Sequence, residues 1–294
     1  MMPPGVRLET TASPAPRAGF RAAEPAPDVS IVVVAYGTGP VLLDTLASIA
    51  AAARVDPDPS VEVIVVSNPH PVHGQRTLVD LRLSTRGVCV VIAPDNLGFG
   101  GGCELGALAA RGEVLAFVNP DVDVPTGWLG PLVAAIRSEP VAPHIAAPVL
   151  VEADGSVQEI GQRLYRTGAT APILERGPDD GPVAVDYASA ACWVMTRDAH
   201  ERLGGFDAAY HPAYFEDVDL ALRVHRAGGR CLVVPTVRVV HHRGGGTPDD
   251  AAPASAQRDR LLERWPAVRW ERPAEPGARG VQLAPNTALT IRRA

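Results

Sequence analysis

Apolar positions along the first half of the chain follow two alternating rhythms. The run Ser30–Ala35 (Ser-Ile-Val-Val-Val-Ala) is continuous and β-branched between Pro27 and Gly37, as expected of a strand buried on both faces of a sheet. Val61–Val66, Val88–Ile92 and Val114–Val118 repeat that pattern. Between them the spacing is helical. Leu42, Leu46, Ile49 and Ala50 share one face of a segment from Val41 to Ala53 that Asp56-Pro57 ends, and a second helix lies near Thr77 to Leu83. Leu97–Arg111 opens with glycines and continues as a small-residue helix. Strands alternating with helices predict right-handed crossovers, an α/β class and a mostly parallel central sheet flanked by helices.

After Trp128 the rhythm changes. A helix to Ser138 is followed by strands at Ile145–Glu152 and Val157–Ile160 around an Asp154-Gly155 turn, which is hairpin chemistry and predicts a smaller mixed or antiparallel extension. Tyr187–Thr196 reads as a strand, Arg197–Leu203 as a short helix ended by Gly204-Gly205, Asp217–Ala227 as a helix and Cys231–Val240 as a final strand pair. The ends are rich in Pro, Ala and Arg without periodicity. The expected organisation is therefore a flexible leader over 1–28, one domain over 29–248 and a peripheral tail over 249–294.

Composition narrows the class. With 46% hydrophobic and 20% charged residues in 294, the chain has enough apolar material for one real core. A net charge of -6 without a dense basic stripe argues against a nucleic-acid partner. Cys89, Cys103, Cys192 and Cys231 are widely separated with no CxxC pair, which fits a reducing compartment and neither a zinc site nor a disulfide framework. No stretch has the roughly 20 apolar residues of a membrane helix. The expected location is the cytoplasm, with peripheral contact to the inner face of the cell membrane left open.

Four segments carry candidate chemistry. Asn119-Pro-Asp-Val-Asp123 directly follows a strand, at the sheet edge where open α/β folds bind ligands. Two carboxylates one residue apart can share a hard divalent cation, although each is also an ordinary turn residue. Phe215-Glu-Asp-Val-Asp-Leu220 puts three acids at the start of an amphipathic helix. Complementing the helix dipole accounts for Asp219. Glu216 and Asp217 follow an aromatic approach, where a carboxylate can be tuned to act as a general base. His241-His242 ends a strand and precedes Arg243-Gly-Gly-Gly246, a set able to complete an oxygen-rich Mg²⁺ or Mn²⁺ site and to meet phosphate. Asn96-Leu-Gly-Phe-Gly-Gly-Gly102 allows close backbone approach to a ligand. It follows the third strand, not the first, which disfavours a dinucleotide-binding dehydrogenase.

Read in order, Val29–Tyr36, Asn96–Gly102, Asn119–Asp123, Gly204-Gly-Phe-Asp207, Tyr214–Leu220 and Val239-Val-His-His242 resemble the family 2 inverting glycosyltransferases, which include bacterial rhamnosyltransferases and whose fold is called GT-A. The resemblance covers roughly Val29 to Gly246. It implies that Asp121 and Asp123, joined by His241, hold Mg²⁺ or Mn²⁺ against the diphosphate of a nucleotide sugar. It also implies that Asp217, beside Glu216, deprotonates an acceptor hydroxyl. Ala35 and Tyr36 after the first strand, Ser67 after the second, and Asn96, Gly98 and Gly101 in the glycine run are expected to contact the donor. Asn119, Asp121 and Trp128 complete that expected set. A dTDP- or UDP-sugar donor, with rhamnose a candidate sugar, and a glycan, lipid-linked or small-molecule acceptor follow from the same resemblance.

Two departures stand out. Ser67-Asn68-Pro69 occupies the place of an acidic pair that contacts the nucleotide base in family members, and Ala35-Tyr36-Gly37 replaces the more usual Thr-Tyr-Asn. The first motivates a competing reading, a catalytically silent nucleotide-sugar-binding protein on the same fold. A nucleotidyltransferase would want a phosphate loop after the first strand, and Gly37-Thr-Gly-Pro40 is a poor one.

Overall fold

Val29–Tyr36 is buried at seven of its eight positions, and the reason is its place in the middle of the sheet. The structure is a computed structural model that describes residues 2–20, 26–138, 142–175, 181–243 and 254–267. Its elements begin with strands β1 (Arg7–Ala12), β2 (Ala18–Gly19) and β3 (Val29–Tyr36), helix α1 (Gly39–Val55), β4 (Val61–Asn68), α2 (Gly74–Ser84) and β5 (Thr85–Ile92). Helix α3 (Gly98–Ala109), β6 (Val114–Val118), β7 (Val122–Asp123) and α4 (Leu129–Arg137) follow. The second half contains β8 (His144–Val151), β9 (Val157–Glu159), β10 (Gln162–Leu164), β11 (Thr170–Pro172), β12 (Val183–Val185) and β13 (Cys192–Thr196). It ends with α5 (Arg197–Leu203), a short 3₁₀ turn at Ala208–Tyr210, α6 (Glu216–Arg226), β14 (Arg230–His241) and α7 (Ala254–Arg264).

The main sheet runs in the order β1-β5-β4-β3-β6-β13-β8-β14-β12. Strands β5, β4, β3 and β6 are parallel, as their continuous apolar runs predict, while β13 is antiparallel to both β6 and β8. The extension is thus mixed. Two apolar layers cover the sheet. Val32, Val34, Ile64 and Val66 face Cys103 and Leu105 of α3 and Leu220 of α6, and the alternate residues Ile31, Val33, Val63 and Val65 face Leu42 and Leu46 of α1 and Leu132 of α4. Period-2 alternation decides which layer each side chain joins. Helix α3 lies very close to the sheet because Gly106 has no side chain: a Cβ there would sit 2.3 Å from Val32 Cγ1.

Four expectations need correction. The presumed leader contains β1, which pairs antiparallel with β5 from Arg7↔Ile92 onward. Its mostly exposed positions left no apolar period to read. The strand expected at Tyr187–Thr196 begins only at Cys192, and the expected final pair is the single strand β14, whose register shifts between Val234 and Arg238 around Pro235. Proline has no N–H to give the ladder. The presumed tail contains α7, with Leu261 fully buried and Trp265 nearly so. Gly244–Gly246 and residues 268–294 lie outside the described residues.

Helix α7 is held by a polar contact as well as by packing. Trp265 Nε1 donates to Asp219 Oδ1 at 2.8 Å, and the Arg226 guanidinium lies 4.6 Å above the Trp265 ring. Trp265→Ala should therefore cost about 3–5 kcal/mol, read as a lowered midpoint in chemical denaturation. A loss under about 0.5 kcal/mol, the range of ordinary surface substitutions, would show α7 to be dispensable.

Candidate active site

The parallel strands, the glycine helix and α6 converge on one cleft of about 560 Å³. Its floor is set by strand parity. Tyr36 and Asn68 are register partners at the ends of β3 and β4, and both line the cleft together with Val34. Ala35 and Ser67, one residue earlier, are buried at 1% and 3% exposure and do not line it. A one-residue shift reverses the face of a strand side chain, so Tyr36, itself an expected contact, lines the cleft and Ala35 does not, while Asn68 stands where Ser67 was expected. Gly101 and Trp128 also lie away from the cleft, with Trp128 packed in the opposite core layer.

Asn68 fixes the glycine run. Its Oδ1 accepts from Leu97 N–H at 3.2 Å and its Nδ2 donates to the Gly98 carbonyl at 2.9 Å. Asn96 closes the turn by accepting from Gly98 N–H at 3.0 Å. Gly98 has φ +69°, and a Cβ there would lie 2.2 Å from the Pro212 carbonyl oxygen, so only glycine fits. The same contact bolts the segment before α6 to the start of α3, where Phe99 N–H donates to Pro212 O at 2.8 Å. Residues 119–122 are fixed from the other side: Thr45 of α1 donates to Pro120 O at 2.9 Å and accepts from Val122 N–H at 3.1 Å. Asn119, Asp121 and His241 line the cleft there.

The two aspartates of the 119–123 turn lie in different settings in this geometry. Asp121 is buried with Oδ1 3.5 Å from His241 Nε2, whereas Asp123 is 41% exposed and pairs with His242 Nε2 at 2.9 Å. Consecutive histidines on extended backbone point to opposite sides, so each aspartate follows its own histidine. Asp123 is away from the cleft and His241 is at it. Among the described residues no three His, Cys, Asp or Glu side chains cluster tightly enough to hold a metal. The converging pair Asp121 and His241 nevertheless supplies one oxygen and one nitrogen donor at the cleft wall. That suits Mg²⁺ or Mn²⁺, which keep part of their shell for waters and substrate phosphate.

Across the cleft, α6 presents its acids in three different settings. Asp219 is fully buried and paired with Arg223 Nε at 2.9 Å and Arg264 at 3.1 Å, so it holds structure together. Glu216 is 6% exposed and packs against Gly100 of α3, and its Oε2 has no hydrogen-bond partner among the described residues. Burial and the neighbouring Asp217 charge hold its carboxyl well above the usual range. Asp217 lines the cleft and accepts from Val218 N–H at 2.8 Å and Ala190 N–H at 3.5 Å. Burial pushes its carboxyl up to about 6 despite those amide bonds. Both carboxyls line the cleft, and of the two Glu216 is held further towards its neutral form. Phe215 and Tyr214, which aim this helix start, have φ +69° and +80°, a strained backbone of the kind found at functional sites.

Sequence reasoning missed the contribution of β9. Gln158 and Glu159 are adjacent and both buried. Glu159 accepts from Ser189 N–H at 3.0 Å and from Gln162, and burial raises its carboxyl. Strand alternation would put only one of the two inside, and the register break between Leu150 and Val151 is what admits both. No sequence signal would have found them.

A profile described as glycosyl transferase family 2 matches residues 30–204. The N-acetylglucosaminyl-diphospho-decaprenol L-rhamnosyltransferase of Mycobacterium tuberculosis (strain H37Rv) is 29% identical over 253 residues, which cover 76% of this chain and 78% of that protein. The O-antigen biosynthesis protein RfbC of Myxococcus xanthus is 31% identical over 247 residues, 77% of this chain but 18% of its own length. Among solved structures, GalNAc-T7 with UDP, GalNAc and Mn²⁺ superposes with a TM-score of 0.67 at 17% identity, over 84% of this chain and half (50%) of that one.

Proposed function

The chain belongs to glycosyl transferase family 2, and from that premise we infer an inverting transfer of a sugar from a nucleotide-diphosphate donor to an acceptor hydroxyl. It is a glycosyltransferase with the GT-A fold. The observation that carries the finer reading is a single cleft lined on one wall by Asp121 and His241 and on another by Asp217. The Tyr36 ring lies beside them, where it can meet the nucleotide base. A divalent cation, Mg²⁺ or Mn²⁺, held by Asp121 and His241 would supply positive charge against the departing diphosphate. Asp217 takes the proton of the acceptor hydroxyl as its oxygen attacks the anomeric carbon, and a single displacement inverts that centre. Glu216, neutral beside it, avoids placing a second negative charge against the base.

By analogy with the rhamnosyltransferase it resembles, the donor in this reading is dTDP- or UDP-linked with rhamnose the first sugar to try, and the acceptor is a lipid-linked cell-envelope precursor. Among the described residues no helix is long and apolar enough to cross a membrane, and a lipid-linked acceptor would be met by peripheral contact at the inner face. The silent binding protein took its motive from Ser67. With Asn68 lining the cleft in its stead, no observation favours that reading.

The test is a thermal-shift and calorimetric titration with dTDP-, UDP- and GDP-sugars, each with Mn²⁺, Mg²⁺ or EDTA. Ligand bound by the native state alone adds about 2.7 kcal/mol at 100 times its Kd. Stabilisation by one nucleotide class, abolished by EDTA, is the expected result. No response to any donor in any metal would overturn the reading.

A further inference from the structure

The ring of His241 is held by one buried side chain 83 residues away. Gln158 of β9 is 4% exposed, and its amide bridges His241 twice. Its Nε2 donates to the His241 backbone carbonyl, and its Oε1 lies 3.1 Å from His241 Nδ1. A backbone carbonyl can only accept a hydrogen bond, so the NH₂ end of the amide must face it. The oxygen end therefore faces the ring. An amide oxygen only accepts, so Nδ1 must carry the proton. In a neutral imidazole the lone pair is then on Nε2, the nitrogen that stands 3.5 Å from Asp121 Oδ1.

We propose that Gln158 is a positioning residue for the cation site: it locks His241 in the Nδ1–H tautomer, so that the Nε2 lone pair faces the cleft with the Asp121 carboxylate. The proposal rests on the reading of Asp121 and His241 as cation ligands. Outer-shell partners of this sort set which ring nitrogen binds metal. Gln158 sits on the hairpin strand that pairs with β8, and β8 in turn pairs with β14, so the mixed extension of the sheet fixes the ligand from behind. The His242 ring is turned the other way, with its Nε2 taken up by Asp123.

Two-bond ¹H–¹⁵N spectra of the metal-free full chain at alkaline pH read the tautomer directly, with the His241 signals identified by their loss in His241→Asn. Wild type should show Nδ1–H. Gln158→Glu should keep it, because a carboxylate oxygen still accepts from Nδ1–H although the bond to the His241 carbonyl is lost, and Gln158→Leu should release the ring towards Nε2–H. Mn²⁺ titration followed by electron paramagnetic resonance should then show about 10–100-fold weaker binding in Gln158→Leu and affinity near wild type in Gln158→Glu. An Nε2–H tautomer in wild type overturns the proposal, as does Gln158→Leu binding Mn²⁺ as tightly as wild type. A wild type that shows Nδ1–H yet binds no Mn²⁺ overturns the cation site itself, and with it the purpose given to the tautomer.

Discussion

Asp217→Asn should lower turnover by about 10²–10⁴-fold, the usual value of a general base, while leaving donor affinity unchanged. The asparagine keeps the shape of the side chain and an oxygen that can accept from Val218 N–H, so the start of α6 should stay in place, but it cannot take a proton. Calorimetry with the nucleotide donor supplies the control. Turnover equal to wild type would remove Asp217 from the chemistry, and a parallel fall in donor affinity would make its role structural. The same carboxyl predicts two opposing pH trends. Its folded value of about 6 stands above the roughly 3.9 of an unfolded aspartate, so between those values the native state holds more protons than the unfolded one. Stability should therefore fall as pH rises from about 4 to 6, while kcat/KM rises across the upper part of that window and levels above it. Asp217→Asn should make the stability trend shallower, leaving the part that Glu216 and Glu159 contribute. An unchanged slope in the variant would mean that another buried acid, with Glu216 the first candidate and Glu159 the second, causes it.

Much of this site could be read from the sequence, and what could not has particular causes. The parallel core announces itself in Val29–Tyr36, Val61–Val66 and Val114–Val118, because strands covered on both faces must be apolar throughout. The acids of α6 and the 119–123 turn were visible because charged side chains at strand ends and helix starts interrupt apolar runs. The same continuity hides parity. A run with no polar alternation does not say which of Ser67 and Asn68 faces the cleft, and the pairing Tyr36↔Asn68 decides it. The exposed edge strand β1 carries too little apolar pattern to betray it. Helix α7 buries only Gln257 and Leu261 along its length, too few positions to set a period. Asp219 illustrates the reverse error of local reasoning. At a helix start it looks like a dipole complement, and only the arrival of Arg264 and Trp265 from the α7 end of the chain shows it to be a buried anchor.

The 119–123 turn offers the sharpest contrast, since a shared-cation reading of the sequence treats its two aspartates alike and the structure separates them. Asp121→Asn should weaken Mn²⁺-dependent binding of the nucleoside diphosphate by at least the roughly 10–100-fold typical of losing a mere outer-shell partner, because it removes a carboxylate charge from the cleft wall beside His241. Asp123→Asn alters an exposed pair with His242, and such pairs contribute at most about 1 kcal/mol, so its effect should stay under about fivefold. Calorimetric titration of UDP or dTDP at saturating Mn²⁺, repeated in EDTA, separates the metal-dependent part for each variant. Equal losses in both would mean that ligand binding breaks the Asp123–His242 pair and draws the second carboxylate to the cation, restoring the shared site that the spacing suggests. Equal indifference would leave neither aspartate in contact with the metal. A large loss confined to Asp121→Asn is the outcome that the geometry requires, because only that carboxylate shares the cleft with His241 and Asp217.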